Sequence, residues 1–258
     1  MNRLSLPGWL QNALLVLLAV AVLGGAAVVV HKDRSVHGTG ITTPLPPLPS
    51  ASASSQGPIS AVFFGDSIVA GANTTSGDKT FTAVAAEKLG WQQAPFGYPG
   101  SGFTNPGTYQ GGKTYLQRAE GLRGYTSNVI VVEGGLNDGA ATSAELTTAV
   151  STFLGRLRTL VPSATLVLMG PWAPGGKPDA AVVRTDNTMR LLASQQRIAY
   201  VSPIEEHWIT GTYPNTGNAR QYISSDGFYP NDAGHAYFGQ RLADDLKRLL
   251  PARLIPAG

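Results

Sequence analysis

Four short polar segments of the sequence contain a hydroxyl, amide donors, carboxylates and an imidazole. They are Gly65-Asp66-Ser67, Pro99-Gly100-Ser101-Gly102, Gly134-Gly135-Leu136-Asn137-Asp138 and the stretch "SSDGFYPNDAGHAYFG" at 224–239. A serine hydroxyl can attack an acyl carbon when a neighbouring group removes its proton, and N–H donors can hold the oxyanion that forms. If these side chains meet in space, they have the chemistry for nucleophilic acyl transfer.

The first segment places Ser67 at the turn from an apolar run into a polar stretch. A serine there can present its hydroxyl at the edge of a sheet, while its own N–H points at a developing oxyanion. A glycine N–H from the second segment and the asparagine amide of the third are donors of the same kind. The turn is not the G-x-S-x-G elbow of α/β-hydrolases, because Val69 occupies the second glycine position.

The segments lie between runs whose patterns alternate between strand and helix. Apolar and β-branched runs predict strands at 59–64, 128–135, 164–170 and 197–203, with a further strand near 91–98. Helical spacing predicts helices at 79–90, 143–162, 179–196 and 231–251. This alternation predicts a parallel sheet covered on both faces, with its sites at the carboxyl ends of the strands.

The N-terminal part of the chain differs in composition from the rest. Residues 13–30 form an uncharged apolar run, close to the length of about 20 residues with which a helix crosses a bilayer. Residues 1–34 are therefore interpreted as a transmembrane helix that anchors the chain, or as a cleaved signal, because small residues in the run offer a cleavage site. Residues 35–58 are predicted to be a Pro/Ser-rich linker, which leaves 59–258 as the folded domain.

A short N-terminal tail before a large domain favours export of that domain, so we expect a single-pass membrane protein, or a secreted one if the signal is cleaved.

Charge and cysteine content exclude several classes of function. From Ile59 onward basic and acidic residues nearly balance, and no basic stripe indicates a nucleic-acid partner. The chain contains no cysteine, which excludes disulfides and thiolate metal sites.

In their order and their positions after strands, the four segments resemble the SGNH hydrolase (GDSL esterase/lipase) superfamily over about 59–250. The resemblance implies a flavodoxin-like three-layer α/β/α sandwich, no metal or other cofactor, and hydrolysis of ester-linked acyl groups. It implies that Ser67 is the nucleophile. It also implies an oxyanion hole made of the Ser67 N–H, the Gly100 N–H and the Asn137 amide, with Gly102 as the rival to Gly100.

The last segment departs from the family pattern D-G-x-H-P-N. Aligned on that pattern, Asp226 is the orienting carboxylate and Tyr229 stands where the catalytic histidine is expected. A phenol is neutral at pH 7 and accepts protons poorly. In the other register Asp232 precedes His235 by three residues, but His235 lies inside the predicted helix, about 6–10 Å from the usual position. Three alternatives stay open: His235 as the base, an impaired site with Tyr229, or another base.

Two functions follow from these patterns. The first is an exported, membrane-tethered serine esterase whose partners are the membrane and an acylated small molecule, lipid or glycan of the envelope. The second is a catalytically impaired module of the same fold that binds acylated glycan. A purely structural domain would make the four segments a coincidence. The insertion at 104–121 is long enough to shape specificity.

Overall fold

A computed structural model describes residues 57–174 and 177–256, which fold around a five-stranded parallel sheet. The strands are β1 (Ser60–Gly65), β2 (Gln92–Gly97), β3 (Val129–Glu133), β4 (Thr165–Met169) and β5 (Ala199–Val201). Their order, β2-β1-β3-β4-β5, is the flavodoxin-like order that was predicted. The anchor predicted within 1–34 and nearly all of the predicted linker lie outside the described residues.

Six α-helices occur in this part of the chain. They are α1 (Phe81–Leu89), α2 (Tyr115–Ala119), α3 (Ser143–Leu160), α4 (Ala180–Gln196), α5 (Ala219–Tyr222) and α6 (Asp232–Leu249). The four long helices lie within their predicted ranges, whereas the short helices α2 and α5 were not predicted. Among the residues that the structure describes, no helix is long and apolar enough to cross a membrane.

The helix α3 shows why these segments fold as the pattern predicts. Its first turn is closed by a capping box, in which the Thr142 hydroxyl accepts from the Glu145 N–H and the Glu145 carboxylate accepts from the Thr142 N–H. The helix buries one apolar face, which is the predicted face: Leu146, Val150, Phe153, Leu154 and Leu157. This face packs on the sheet and fixes where the preceding loop, which carries Asn137, can lie.

Two hydrophobic cores sandwich the sheet, so the predicted three-layer arrangement is confirmed. In β1 the side chains alternate between them because successive residues of a strand point to opposite faces. Ala61 and Phe63 belong to the core with α1 and α6, and Val62 and Phe64 belong to the core with α2 and α3. Both faces of β1 are therefore buried, and the strand can present polar groups only at its ends.

The strand β2 lies at one edge of the sheet and ends against the loop that follows β1. A Cβ at Gly97 would overlap the backbone of Ala70, so this close approach requires glycine. In the middle of β2, Pro95 pairs in register with Phe63 of β1. Proline lacks an N–H, and a strand edge that faces outward tolerates that loss. The carboxyl ends of β1 and β2 are thus held in direct contact.

Candidate active site

Ser67 lies in the loop that leaves the carboxyl end of β1. The loop continues in helical turns, in which the Ala70 N–H donates to the Asp66 carbonyl at 3.0 Å and the Ala72 N–H donates to the Ser67 carbonyl at 2.9 Å. The Asp66 side chain, rather than the serine hydroxyl, caps the first turn by accepting from the Ile68 N–H at 3.0 Å. The Ser67 hydroxyl is thus not consumed as a cap, and the residue is 8% exposed.

The loop after β2 supplies the glycine turn. Gly100 has a φ of 74°, a conformation that favours glycine. The N–H of Gly102, the rival donor, already donates to the Asn105 carbonyl at 2.7 Å. The turn is closed by the Ser101 hydroxyl, which donates to the Tyr98 carbonyl at 2.8 Å. Of the two glycines, Gly100 is therefore the better candidate for an oxyanion donor.

Asn137 joins the three loops. It lies in the tight turn Leu136–Asp138 after β3, and its side-chain amide donates to the Asp66 carboxylate at 2.7 Å and to the Ser101 carbonyl at 2.9 Å. The segments containing Ser67, Gly100 and Asn137 therefore meet at one edge of the sheet. Both amide hydrogens have acceptors in this arrangement, so a substrate oxyanion would take the place of one of them.

Asp138 fixes the loop after β2 from the other side. Its buried carboxylate accepts from the N–H groups of Phe103, Thr104 and Asn105 at 3.1, 2.7 and 3.3 Å, and from the Thr104 hydroxyl at 2.7 Å. A carboxylate that accepts several backbone N–H groups holds their loop in one conformation. The sequence placed Asp138 in the G-x-N-D segment but gave no sign of this role.

Arg118 is a residue that the sequence analysis missed. It comes from α2, within the insertion that was expected to shape specificity. Its guanidinium donates to the Gly65 carbonyl at 2.9 Å, to the Ser101 hydroxyl at 2.8 Å and to the Phe96 carbonyl. It also lies 4.4 Å from the centroid of the Phe64 ring, a cation–π distance. The guanidinium thereby ties the ends of β1 and β2 together.

Two buried acids lie behind the serine loop. Asp66 is 3% exposed and Glu133, the last residue of β3, is 1% exposed. The Asp66 N–H donates to Glu133 Oε2 at 3.4 Å, and Glu133 Oε1 has no hydrogen-bond partner among the described residues. Burial raises the pKa of Asp66 to about 6, although the Ile68 N–H opposes the shift. Burial, with the charge of Asp66, raises the pKa of Glu133 well above its ordinary value.

Asp226 lies beside the serine loop, but its carboxylate is already hydrogen-bonded to Asn73 of that loop. Its Oδ1 accepts from the Ser224 hydroxyl and from the N–H groups of Phe228 and Tyr229 at 2.6, 2.8 and 3.1 Å. Its Oδ2 accepts from the Asn73 amide at 2.6 Å. Although burial opposes the effect, these hydrogen bonds lower the pKa of Asp226. The Asn73 amide thus takes the bond through which this carboxylate would orient an imidazole at position 229.

His235 is fully buried, and both of its ring nitrogens are engaged. Nδ1 accepts from the Phe81 N–H at 3.2 Å, so Nε2 carries the proton and donates to the Ala72 carbonyl at 2.9 Å. Burial lowers the pKa of His235, which favours this neutral form. The structure gives no support to the alternative in which His235 takes the serine proton, because neither nitrogen has a lone pair free for Ser67.

Asp232, the carboxylate of the second register, bonds groups other than His235. Asp232 accepts from the Thr75 N–H at 2.9 Å, from the Thr75 hydroxyl at 2.6 Å and from the Lys79 ammonium at 2.7 Å. These bonds lower the pKa of Asp232.

His207 is the other histidine in the part of the chain that the structure describes. It is exposed on the loop after β5. The strand β5 lies three strand spacings, or about 14 Å, from β1, whose end carries the serine loop.

A profile of the GDSL-like lipase/acylhydrolase family matches residues 63–237. The chain belongs to this family. The predicted resemblance is therefore confirmed at the family level, and the family's description agrees with the predicted class of ester hydrolase. A protein of Mycobacterium tuberculosis described as a GDSL lipase is 29% identical over 82 residues, which are 32% of this chain and 32% of that protein. The chain thus matches about a third of that relative's length.

Solved structures with this fold include GDSL-type and carbohydrate esterases. A family two carbohydrate esterase from Clostridium thermocellum, in complex with cellohexaose, has a TM-score of 0.57 and 19% identity, covering 74% of this chain and 65% of that chain. A carbohydrate acetylesterase from Sinorhizobium meliloti has a TM-score of 0.55 and 16% identity, covering 74% of this chain and all (100%) of that chain. At these identities the likeness establishes the fold.

The buried, hydrogen-bonded state of His235 predicts how the stability of this GDSL-family chain depends on pH. Below the ordinary histidine pKa of about 6.5, the unfolded chain takes up a proton that folded His235 resists, so the free energy of unfolding falls as pH falls. We expect His235→Asn to be less stable than wild type at pH 7, by about 1–3 kcal/mol. The variant should also lose less stability between pH 7 and pH 5, as measured by urea unfolding.

The exposed His207 provides the matched control for this comparison. His207→Asn should leave the free energy of unfolding at pH 7 within about 0.5 kcal/mol of wild type, because the residue is exposed. Parallel pH dependences for wild type and His235→Asn would contradict the neutral, hydrogen-bonded state assigned to His235.

Proposed function

We propose that the chain is an exported, membrane-tethered serine ester hydrolase that removes acyl groups from envelope lipids or glycans. The observation that carries the proposal is the Asn137 amide, which bonds both the Asp66 carboxylate and the Ser101 carbonyl. This bridge brings a serine, a glycine turn and an asparagine amide to the end of one sheet. No simple packing role requires those three polar loops to converge.

In the proposed reaction the Ser67 oxygen attacks the acyl carbonyl. The carbonyl oxygen becomes an oxyanion that accepts from the Ser67 N–H, the Gly100 N–H and the Asn137 amide. Each such donor is worth about 3–4 kcal/mol of barrier, and the Asn137 amide exchanges one of its two present acceptors for the oxyanion. Asp138 supports the step by holding the loop after β2 against the loop after β3, and Arg118 does so by holding it against the end of β1.

The surroundings of Asn137 support a substrate of moderate size. An open cavity of about 600 Å³ adjoins Asn137 on the side away from Ser67, which does not line it; its walls include Thr104, Asn105, Pro106, Ala141 and the acidic Asp138 and Glu145. The carbohydrate esterases that share this fold support an acylated sugar as the substrate of this chain. On the other side of the serine loop, Phe228 is 40% exposed and packs against Trp172 and Tyr229, and an exposed ring of this kind can stack on a sugar.

The nucleophile and the oxyanion donor are tested by two substitutions. Ser67→Ala should abolish p-nitrophenyl acetate turnover and covalent labelling by a fluorophosphonate. Asn137→Ala should leave labelling detectable but lower kcat by about 100-fold or more, because one oxyanion donor is lost. Ser194→Ala and Asn187→Ala, both on the exposed side of α4, are the matched controls. Wild-type turnover that persists in Ser67→Ala would rule the mechanism out.

A second function is favoured by the engaged side chains of the last segment. Asn73 occupies Asp226 Oδ2, and the ring of His235 is fully bonded, so the usual imidazole base has no equivalent among the described residues. In this alternative the chain is a module that binds acylated glycan without turning it over. Wild-type Ser67 would then not react with a fluorophosphonate.

Restoring an imidazole at position 229 separates the two functions. Asn73 has a φ of 63°, which glycine adopts easily, so Asn73→Gly frees Asp226 Oδ2 without straining the loop. If the second function holds, Tyr229→His with Asn73→Gly should create Ser67-dependent ester turnover or raise it by about 100-fold, the usual worth of a general base. Tyr229→His alone should gain less, and Asn73→Gly alone should gain nothing. A double variant no faster than wild type would show that the missing imidazole does not limit turnover.

The location of the domain is a separate proposal that depends on the apolar run at 13–30. We expect the full chain to stay in the membrane fraction after alkaline carbonate extraction, with its domain accessible to protease added from outside the cytoplasm. Protein sequencing of the mature N-terminus distinguishes anchor from signal. A soluble product whose N-terminus lies within or after the small residues of this run would show that the segment is a cleaved signal and that the protein is secreted.

A further inference from the structure

The proposed hydrolase needs a group that accepts the proton of the Ser67 hydroxyl. The described residues contain two histidines: His235 is bonded at both nitrogens, and His207 lies on the loop after the far edge strand. Tyr229, at the usual position of the base, offers a phenol hydroxyl, which is a poor proton acceptor. A proton acceptor for Ser67 must therefore come from another side chain.

The carboxylate of Asp66 lies within reach of the serine hydroxyl. Ser67 Oγ is 3.5 Å from Asp66 Oδ1, and both residues are more than nine-tenths buried. Asp66 is held from two further directions, by the Ile68 N–H at 3.0 Å on Oδ1 and by the Asn137 amide at 2.7 Å on Oδ2. Contacts between a nucleophile and its base are often long before substrate binds and shorten in the complex.

We propose that Asp66 is the general base that takes the proton of the Ser67 hydroxyl, and that Glu133 stays neutral behind it. This inference rests on the proposed function, because it assigns the base of the same serine hydrolase site. It gives a chemical role to a buried carboxylate pair that the packing of the sheet does not require.

Burial, followed by hydrogen bonds and neighbouring charges, sets the proton affinity of Asp66. Burial and the charge of Asp138 raise the pKa of Asp66, whereas the guanidinium of Arg118 opposes the rise. The balance brings the pKa of Asp66 to about 6, close to that of an ordinary imidazole. Glu133 has an unbonded buried oxygen and is therefore the acid that keeps its proton. The Tyr115 phenol donates to the Glu133 carbonyl at 2.9 Å and stays neutral.

The step balances without a further reactant. As the bond between Ser67 Oγ and the acyl carbon forms, the hydroxyl proton moves to Asp66 and the carbonyl π pair becomes the oxyanion. When the bond to the alcohol oxygen breaks, that oxygen takes the proton from Asp66. Water then attacks the acyl-serine, gives its proton to Asp66, and Ser67 recovers that proton as it leaves.

The test compares pH profiles of kcat/KM for the detergent-solubilised full chain, with p-nitrophenyl acetate as substrate. In wild type, kcat/KM should fall as pH drops through about 6, because protonated Asp66 cannot act as a base. This fall is the acidic limb of the pH profile. Asp66→Asn should lower kcat/KM by about 100-fold or more and remove this limb from the residual activity. A structural role of Asp66 alone would lower kcat/KM but leave the limb in place, and would overturn the proposal.

Two variants provide controls. Glu133→Gln replaces a neutral acid by a neutral amide, so the limb should stay near pH 6; a shift to lower pH would show that Glu133 is charged and overturn its assignment. His235→Asn, assayed below its unfolding temperature, should keep kcat/KM within about fivefold of wild type, since a general base is worth at least 100-fold. A loss as large as that of Asp66→Asn would instead make His235 the base.

The outcomes separate this inference from the proposed function. If wild type shows Ser67-dependent turnover that Asp66→Asn retains, the base assignment fails and the hydrolase proposal stands. If wild type shows no Ser67-dependent turnover and no fluorophosphonate labelling, both fail. Turnover that needs Ser67 and Asp66 but not His235 supports both.

Discussion

The hydrogen bond from the Asn137 amide to the Asp66 carboxylate is the interaction on which the candidate site depends. The same amide also reaches the Ser101 carbonyl, so one side chain fixes the relative positions of the loops after β1, β2 and β3. A buried hydrogen bond to a charged group contributes about 1.5–3 kcal/mol, and its loss would leave a carboxylate poorly solvated. The three loops are therefore held together by a single side chain.

The electrostatics around that bond work against stability. Asp66, Glu133 and Asp138 are all buried close together, and Arg118 is the cation among them, with its guanidinium on the Gly65 carbonyl. Buried like charges cost free energy unless one of them is neutralised by a proton. A fold that needed only packing would place apolar side chains here, as it does two residues earlier at Phe64 in β1. Such destabilising clusters in otherwise regular folds are typical of functional sites.

The architecture was readable from the sequence because local signals agreed with one another. The helix α3 carries a capping box at its start and a continuous apolar face, and both can be recognised from residue spacing. The positions of Ser67 and Asn137 followed from the rule that loops meet at the carboxyl ends of parallel strands. In contrast, β2 is a mixed edge strand with a proline, and α2 spans five residues, so neither has a strong periodic signal.

The side-chain partners in the site were not readable, because they are set by tertiary contacts. The spacing of Asp232 and His235 looked like a catalytic pair, yet Asp232 binds Lys79 and His235 binds the backbone of Phe81 and Ala72, all more than 100 residues away in sequence. Arg118 is a lone arginine in an insertion, and nothing in its neighbours indicates that it reaches Gly65. Periodicity predicts elements, but it does not predict which distant backbone groups a polar side chain will meet.

The two edges of the sheet have a consequence for how copies of the domain behave together. One edge strand, β2, has Pro95 at its middle, and the other, β5, is three residues long. An incoming strand would therefore find an interrupted row of donors on one side and a very short row on the other. Copies of the domain at high concentration can therefore collide without extending each other's sheets into β-aggregates.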